Sequence, residues 1–405
     1  MRQPDLELAG RAAATGRHAV VLGAGVAGLA AADRLLRAGW RVTIVERSER
    51  CGGQHQSFTI GPYTFDAGSI FYEEDAEIFT LGEDLRALCP AVRRIQRRIA
   101  PGGQVLHYPF EPREMLYGQS LVDTARNLGD LAVARLATRR DGSLAAIIRQ
   151  RLGDRLVSAT GLDAYITRFH HLPPAEIDEV FFFHRMAFVE RMTRLPRLVR
   201  AGLRAALPRR GGLRPRPLLR IRPLEGYDVL FGRIAARLLK GGAAIRFGES
   251  VEAIGRAGEG FTVTTSAGTV AADAVISTIP LPVLYRILFA TDPAIEALDM
   301  TTVFVSATRL DERTGNVLFN FHGDGLWKRA TIYSRLYPEA ATDRAFFSVE
   351  TSLPPGATHD PERTFADFSR HVTALGLTDG LRLEGAVRLS SSYPLYRIGA
   401  LAATE

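Results

Sequence analysis

Apolar and polar residues near the start of this chain follow a strand–helix–strand order. Residues 18–22 form a mostly apolar run, which is typical of a parallel strand buried on both faces. Leu29, Leu35 and Leu36 then share one side of a predicted helix, and residues 41–45 form a second predicted strand. This order predicts a βαβ unit within a parallel, doubly wound sheet.

Both kinds of pattern continue along the chain. Helical patterns cover residues 73–88, 144–152 and 228–240. Strand patterns cover residues 244–247, 261–265, 269–272, 301–309, 317–321, 331–334 and 346–352. The strands beyond residue 300 favour an antiparallel sheet, so we expect a second domain of the α+β class.

A glycine motif lies between the first strand and the first helix. Gly23, Gly25 and Gly28 have G-x-G-x-x-G spacing, with Ala24, Val26 and Ala27 between them. The first glycine permits a tight turn, the second lets the backbone approach a pyrophosphate, and the third lets helix and strand pack closely. The helix N-terminus presents N–H groups to the phosphates, which indicates a dinucleotide site.

An acidic residue ends the second predicted strand. Glu46 lies about 20 residues beyond the glycines, where a carboxylate accepts hydrogen bonds from the adenosine ribose. An acid at this position favours an unphosphorylated ribose, as in FAD or NAD, and argues against NADP.

The residues after Glu46 carry a family resemblance. Glu46-Arg47 is followed by Cys51-Gly52-Gly53-Gln54, an E-R-x-x-x-x-G-G pattern. This pattern resembles the FAD-dependent flavoprotein superfamily of amine oxidases, protoporphyrinogen oxidases, phytoene desaturases and UDP-galactopyranose mutases. The resemblance implies FAD as the cofactor, with Gly52 and Gly53 close to its pyrophosphate. Gln54 departs from the Arg or Lys that is usual there.

Later segments extend the resemblance. Residues 65–69 resemble the family's F-D-x-G segment beside the flavin ring, which implies roles for Gly68 and Ser69. Val251 matches a valine whose backbone contacts adenine, and Thr278 lies in a closing A-D-x-V-I-x-T-x-P-like segment. The implied cofactor-binding set is Gly23, Ala24, Gly25, Val26, Ala27, Gly28, Glu46, Arg47, Gly52, Gly53, Gln54, Gly68, Ser69, Val251 and Thr278.

Four residues are substrate candidates through the same resemblance. They are Tyr108, Arg185, Tyr227 and Arg335. Packing is the alternative for Tyr108, and an ion pair between Arg335 and Glu350 is the alternative for that arginine. The mutases carry a histidine shortly after the position of Gly68, and this chain has none there, which favours an oxidoreductase over a mutase.

Composition restricts the partners. The net charge is +7, but Lys240 and Lys328 are the only lysines, so an arginine-rich coding bias explains the charge and nucleic acid is not expected. His170 and His171 lack a third ligand at metal spacing, so no metal is expected. Two cysteines form no disulfide framework, which favours a cytoplasmic protein.

One segment of the chain has a pattern that fits either a solvent-exposed helix or a membrane contact. Residues 1–16 resemble a mobile tail rather than a signal peptide, and no apolar run reaches the length of a membrane span. Residues 191–207 form a basic amphipathic stripe. The stripe indicates either a solvated helix face or a peripheral contact with an anionic membrane.

These observations predict an α/β protein, with a Rossmann-type FAD-binding domain of the glutathione-reductase kind and an α+β substrate domain. The FAD domain is expected over residues 17–70, 218–290 and 390–405, and the substrate domain over 71–217 and 291–389. The resemblance implies an FAD-dependent oxidoreductase that transfers a hydride from a small or lipophilic substrate to flavin N5. A UDP-galactopyranose mutase-like isomerase is the alternative. A vestigial FAD-binding protein is another, because the chain ends before the family's last glycine motif.

Overall fold

The computed structural model describes residues 16–68, 70–108, 120–194, 196–197, 200, 217–291, 293, 296–340, 342–354 and 356–400. Its strands, in chain order, are β1 (His18–Leu22), β2 (Arg41–Val45), β3 (Ser57–Ile60), β4 (Tyr63–Asp66), β5 (Phe71–Tyr72), β6 (Ala91–Val92), β7 (Gln96–Ile99), β8 (Val105–His107), β9 (Leu219–Ile221), β10 (Ala244–Arg246), β11 (Val251–Ala257), β12 (Gly260–Thr265), β13 (Gly268–Ala272), β14 (Ala274–Ser277), β15 (Ala297–Ala307), β16 (Arg309–Leu310), β17 (Val317–Asn320), β18 (Arg329–Ile332), β19 (Ala345–Leu353), β20 (Thr378–Asp379) and β21 (Arg382–Pro394).

The α-helices follow the same numbering rule. They are α1 (Val26–Arg37), α2 (Leu85–Leu88), α3 (Leu121–Ala137), α4 (Leu144–Leu152), α5 (Asp154–Thr160), α6 (Leu162–His170), α7 (Val180–Arg185), α8 (Ala187–Met192), α9 (Tyr227–Lys240), α10 (Leu281–Phe289) and α11 (Pro361–Ala374). Short 3-10 turns cover Glu77–Leu81, Pro174–Glu176, Glu312–Thr314 and Tyr333–Arg335. Ser69 and residues 201–216 lie outside the described residues, so the predicted stripe over 191–207 is described only in part.

The chain divides into two compact units. Unit 1 contains the described parts of residues 1–56, 72–90 and 220–292, and unit 2 contains those of residues 57–71, 91–219 and 293–405. This division differs from the predicted domains in three segments. Residues 72–90, predicted in the substrate domain, lie in unit 1, and two segments predicted in the FAD domain lie in unit 2. The hairpin β3–β4 lies in unit 2, and β21 lies there because it pairs with β15 along most of its length.

Unit 1 is built on a parallel sheet with the strand order β10-β2-β1-β14. Val20 lies in register with Thr43 on one side and Val275 on the other. The interior strand β1 is buried after its first residue, which explains its continuous apolar sequence. An antiparallel meander, β11-β12-β13, packs Val263 and Val270 against the core residues Val20 and Leu22.

Unit 2 is built on a seven-stranded mixed sheet with the order β21-β15-β19-β18-β17-β7-β8. Its pairs are antiparallel except for β7 and β17, which run parallel. The predicted strands at residues 301–309, 317–321, 331–334 and 346–352 all fall on this sheet, each within four residues of the observed bounds. Helices α4, α6 and α7 contribute Ile147, Ile166 and Phe182 to a core cluster with Phe319 and Phe321.

No helix within the described residues is both long enough and apolar enough to cross a bilayer.

Candidate functional site

The first glycine turn lies at the carboxyl end of β1 and leads directly into α1. Gly23 has a φ of +96°, which favours glycine, and its N–H donates to the Val45 carbonyl over 2.8 Å. Gly25 is the N-cap residue of α1 and has no side-chain cap, so the N–H groups of the first helical turn are available to a ligand. A Cβ at Gly28 would collide with the Gly23 carbonyl oxygen, so the third glycine is required by the close packing of helix and turn.

The second glycine pair lies directly against the first turn. The Gly52 N–H donates to the Ala24 carbonyl over 2.9 Å, and Gly25 and Gly52 form a parallel bridge. A Cβ on Gly53 would lie 3.2 Å from the Gly25 Cα. Gly52 and Gly53 both have positive φ values, of +117° and +61°. The two glycine segments therefore form one backbone surface, which we call the glycine cradle.

The Glu46 carboxylate is hydrogen-bonded to the backbone of this cradle. It accepts hydrogen bonds from the Ala24 N–H over 2.7 Å and from the Ser48 N–H over 2.9 Å. The residue is buried, at 7% exposure. Burial, and then the charge of Glu46, raises the pKa of the Cys51 thiol to about 11, so Cys51 stays protonated at neutral pH and acts as a packing residue.

Thr278 closes the other side of the turn. Its hydroxyl donates to the Leu22 carbonyl over 2.8 Å and lies 3.3 Å from the Gly23 carbonyl. Thr278 thus fixes the end of β1 beside the strand β14, on which the preceding residues lie. Its contacts are to the backbone of the cradle.

The other predicted cofactor residues are placed as follows. Ala24 lies in the glycine turn, Val26 is the first residue of α1, and Ala27 is exposed on that helix. Arg47 and Gln54 are exposed next to the cradle segments. Val251 begins β11 in unit 1, opposite Thr265. Gly68 lies in unit 2 with open space at its Cβ position, and Ser69 lies outside the described residues. Their predicted roles stay predictions.

The cradle suits an FAD dinucleotide on structural grounds. Unpaired helix N–H groups and backbone without side chains are what a pyrophosphate requires, and Glu46 is a buried acceptor at the end of β2. The residues that would hold the diphosphate and ribose are Gly25, Val26, Gly53 and Glu46.

Unit 1 also contains a buried aromatic box that the sequence patterns do not reveal. The His55 ring lies 5.2 Å from Tyr227 and 5.7 Å from Phe231, between ring centroids. Tyr227, a predicted substrate residue, is 1% exposed at the start of α9. Burial lowers the pKa of His55, so its ring is neutral at physiological pH.

In unit 2 a buried lysine lies between aromatic rings. The Lys328 Nζ is 3.7 Å from the Phe169 ring centroid and 4.4 Å from that of Tyr393, and it donates to the Tyr393 hydroxyl over 3.3 Å. Lys328 is only 9% exposed, and burial lowers its pKa. The rings stabilise a cation through their faces.

A buried ion pair follows Lys328 in the chain. The Arg329 Nε donates to the Glu350 carboxylate over 3.0 Å, and the two residues lie opposite each other on β18 and β19. The Arg329 and Glu350 side chains are 16% and 3% exposed. We call Lys328, Arg329, Glu350 and the rings around them the cation cluster.

Two of the predicted substrate residues border the cation cluster. Tyr108 stacks on Phe319, with 3.8 Å between the ring centroids. Burial raises the pKa of the Tyr108 hydroxyl, so it stays protonated. The exposed Arg185 lies 6.0 Å from the rings of Tyr393 and Tyr396. Tyr165, which stacks on Phe321 at 4.2 Å, was not predicted.

Arg335 lies elsewhere in unit 2. Its guanidinium donates to the carbonyls of Leu310, Asp311, Glu312 and Gly315 and to the Thr314 hydroxyl. It therefore fixes the 310–315 turn. The alternative prediction of an Arg335–Glu350 ion pair is wrong, because β18 places Arg329 opposite Glu350.

Metal binding has no support within the described residues, where no group of three histidine, cysteine, aspartate or glutamate side chains could hold an ion. His170 lies instead in the cation cluster, with its ring edge-on to Phe169 and Phe181. Burial, and then repulsion from Lys328, His171 and Arg185, lowers the pKa of His170 to about 3.

The family model described as "Flavin containing amine oxidoreductase" matches residues 26–389. A phytoene desaturase (neurosporene-forming) of Rhodobacter capsulatus is 54% identical over 51 residues, which cover 13% of this chain and 10% of the relative. A phytoene dehydrogenase of Streptomyces griseus is 29% identical over 299 residues, which cover 68% of this chain and 56% of the relative. The chain thus spans at most about half the length of these curated relatives.

Two solved structures share the fold. A reduced UDP-galactopyranose mutase has a TM-score of 0.74 at 18% identity, with 95% of this chain and 85% of that chain covered. A redesigned putrescine oxidase has a TM-score of 0.64 at 15% identity, with 95% and 89% covered. These likenesses concern the fold alone and confirm the predicted fold class, a Rossmann-like dinucleotide domain with a second domain.

The packing at Gly28 yields a first prediction. Gly28→Ala should lower the free energy of unfolding by about 1–3 kcal/mol and release FAD, because the new methyl group overpacks the turn. Gly232→Ala is the matched control, since its Cβ would meet nothing within 4 Å and alanine favours a helix by about 1 kcal/mol. Urea unfolding and flavin retention on gel filtration measure both effects. Equal flavin retention by the two variants would contradict the predicted role of the cradle.

The environment of His170 yields a second prediction. Its folded-state pKa of about 3 lies below the ordinary value of about 6.5, so the unfolded chain binds the proton first as the pH falls. Stability should therefore fall between about pH 6.5 and pH 3, by up to about 1.4 kcal/mol per pH unit from this one group.

His170→Phe should flatten this acid slope, whereas a phenylalanine at the exposed His184 should leave it unchanged. The measurement is the free energy of unfolding in urea at pH 7, 6 and 5. The same slope in His170→Phe as in the parent protein would be inconsistent with a buried neutral ring.

Proposed function

We propose, because the chain belongs to the flavin-containing amine oxidoreductase family, that it is an FAD-dependent oxidoreductase whose small substrate carries an anionic group. The glycine cradle of unit 1 would hold the FAD, and the cation cluster of unit 2 would hold the substrate. The observation that carries this proposal is the pair of basic side chains at Lys328, which is buried, and Arg329, which is 16% exposed.

The charge balance of the cluster favours an anion. Lys328 and Arg329 are two basic groups, and among the described residues Glu350 is the carboxylate that pairs with Arg329. Burial lowers the pKa of Lys328, so its ammonium form needs an anion beside it. An ammonium group has three donors, and the described acceptor for Lys328 is the Tyr393 hydroxyl. A buried charge needs a partner, so a substrate carboxylate or phosphate would balance this excess.

The rings around the cations favour an apolar or planar portion next to that anion. Tyr108, Tyr165, Phe169 and Tyr393 present faces and edges within one cluster. Such rings orient a flat ligand by stacking or by edge contacts. A lipophilic substrate without charge fits the rings but leaves Lys328 without a counterion.

The chain's own residues would bind and orient the substrate and exclude water from it. Bound FAD supplies the hydride acceptor, so no protein nucleophile is needed. His170 is neutral and Tyr108 stays protonated in this environment, so neither adds a charge to the cluster.

A second candidate is the sugar-nucleotide isomerase, and the spacing of cations favours it. Arg185, Lys328 and Arg329 border one aromatic cluster, which suits the several charges of a diphosphate. In this candidate the flavin must be reduced but is not consumed. The two candidates share an anionic ligand and differ in their redox balance.

The test of anion selectivity uses three ligands of similar shape. FAD-loaded protein should bind benzoate at least tenfold more tightly than benzyl alcohol or benzylamine, measured by calorimetry. Lys328→Met should abolish that preference while flavin content stays constant, because the cradle is unchanged. Lys240→Met, on an exposed helix end in unit 1, is the matched control. Equal binding of the three ligands would rule out the proposed charge preference.

Redox chemistry is tested separately. Anaerobic bleaching of the flavin by an anionic substrate such as L-phenylalanine, but not by phenethylamine, would support the oxidoreductase. Conversion of UDP-galactopyranose that needs reduced flavin and consumes no electron acceptor would favour the isomerase. Benzoate binding without bleaching or conversion by any candidate substrate would favour a vestigial FAD-binding protein.

A further inference from the structure

Helix α3 turns its polar side inward and its apolar side outward. Its inner side chains make polar contacts: Arg135 donates to the Arg151 and Thr193 carbonyls, and Asp130 accepts from the Arg155 N–H. Its outer side carries large exposed apolar residues, namely Val122 (59% exposed), Leu128 (60%), Val133 (64%) and Leu136 (90%). A soluble helix ordinarily has the reverse arrangement, so this apolar face indicates an interaction surface.

A glycine lies at the middle of this apolar face. Gly129 is exposed within α3, and a Cβ added there would meet nothing within 4 Å. Gly129 does not have a positive φ, so the backbone conformation at this position does not require glycine. Glycine costs a helix interior about 1 kcal/mol relative to alanine. Within the described residues no atom would contact a Cβ at Gly129, so its small size serves no contact there, whereas a second backbone could approach closely.

The spacing around Gly129 is symmetric. Val122 and Leu136 lie seven residues before and after it, and Ala125 and Val133 lie four residues before and after it. All four are exposed and share the side of the helix on which Gly129 lies. A face with this symmetry is complementary to itself when two copies run antiparallel across a two-fold axis.

We propose that helix α3 pairs antiparallel with α3 of a second copy of this chain, with the two-fold axis passing at Gly129. Val122 then packs against Leu136 of the second copy, and Ala125 against its Val133. The small residues at the centre permit an interaxial distance near the lower end of the usual 8–10 Å range. The exposed Arg126 covers Ala132 of the second copy with the aliphatic part of its side chain.

A second copy fits this face better than a lipid surface. Ala125, Gly129 and Ala132 occupy its centre, between the larger Val122, Val133 and Leu136. A second helix backbone can approach closely at such a centre, whereas insertion into a bilayer interface gains little from small residues there. A single helix pair is also a small interface, so we expect a reversible dimer with a dissociation constant on the order of micromolar.

The first test measures association of the full chain by sedimentation velocity. The parent protein should shift from monomer to dimer as its concentration rises through the micromolar range. Gly129→Leu should weaken dimerisation at least tenfold without loss of folding, because leucine improves helix propensity and has open space in the monomer. Leu239→Ser removes an exposed leucine from α9 in unit 1 and should leave dimerisation unchanged.

The second test is a cysteine cross-link. The native thiols Cys51 and Cys89 are buried, so they do not compete under mild oxidation. Gly129→Cys should form a disulfide-linked dimer, since the axis brings position 129 next to itself. Ala137→Cys lies eight residues from the axis, which places its two copies about 24 Å apart, too far for a disulfide.

Three results would overturn the proposal. They are a parent protein that stays monomeric at the highest concentration, a dimer unaffected by Gly129→Leu, and equal cross-linking at positions 129 and 137. Binding to vesicles of phosphatidylglycerol and phosphatidylcholine distinguishes a lipid contact from a protein dimer. A monomer that binds these vesicles, and loses that binding in Leu136→Ser, would assign the face to lipid instead.

Discussion

The close approach of two glycine segments is the constraint on which the cofactor site depends. Gly28 has no room for a methyl group beside the Gly23 carbonyl, and Gly53 lies against the Gly25 backbone. The Gly52–Ala24 hydrogen bond joins the two segments into one surface, and the Glu46 carboxylate accepts a hydrogen bond from the Ala24 N–H of the first segment. A surface of bare backbone next to a helix N-terminus can contact a diphosphate directly, and a single side chain in that position would prevent the contact.

Unit 2 uses a different kind of constraint, which is electrostatic. Two basic side chains, the buried Lys328 and the mostly buried Arg329, lie beside one carboxylate where water is scarce, and burial lowers the pKa of Lys328. Aromatic faces offset part of that cost, and the shifted pKa values of His170 and Tyr108 keep further charges out of the cluster. Under the proposed function, the backbone surface of unit 1 would bind the phosphates of FAD and the side-chain cluster of unit 2 would bind the substrate.

The sequence predicts the family, its FAD cofactor and the fold class, and these are confirmed at the level of the family and the fold. The oxidoreductase activity of this chain stays a proposal. The sequence predicts the glycine turn and the position of Glu46 because the residues that they contact lie within about 30 residues along the chain and follow local geometric rules. The domain boundaries, site roles and partners stay predictions.

What sequence reasoning missed depends on contacts between distant residues. Lys328 meets Phe169 and Tyr393 only once strands and helix have packed, and no spacing rule joins those positions. The predicted helix over residues 73–88 is wrong, since it is divided into a 3-10 turn and a short helix separated by the extended Gly82. Arg335 resembled a substrate residue in the sequence, but its donors are used by the 310–315 turn.

The central claim is that the glycine cradle holds FAD in this chain. The most direct measurement is the visible absorption spectrum of the purified protein after gel filtration, with the released cofactor identified by chromatography. The account predicts the two flavin bands, with one FAD per chain. A colourless protein that also takes up no added FAD would contradict it.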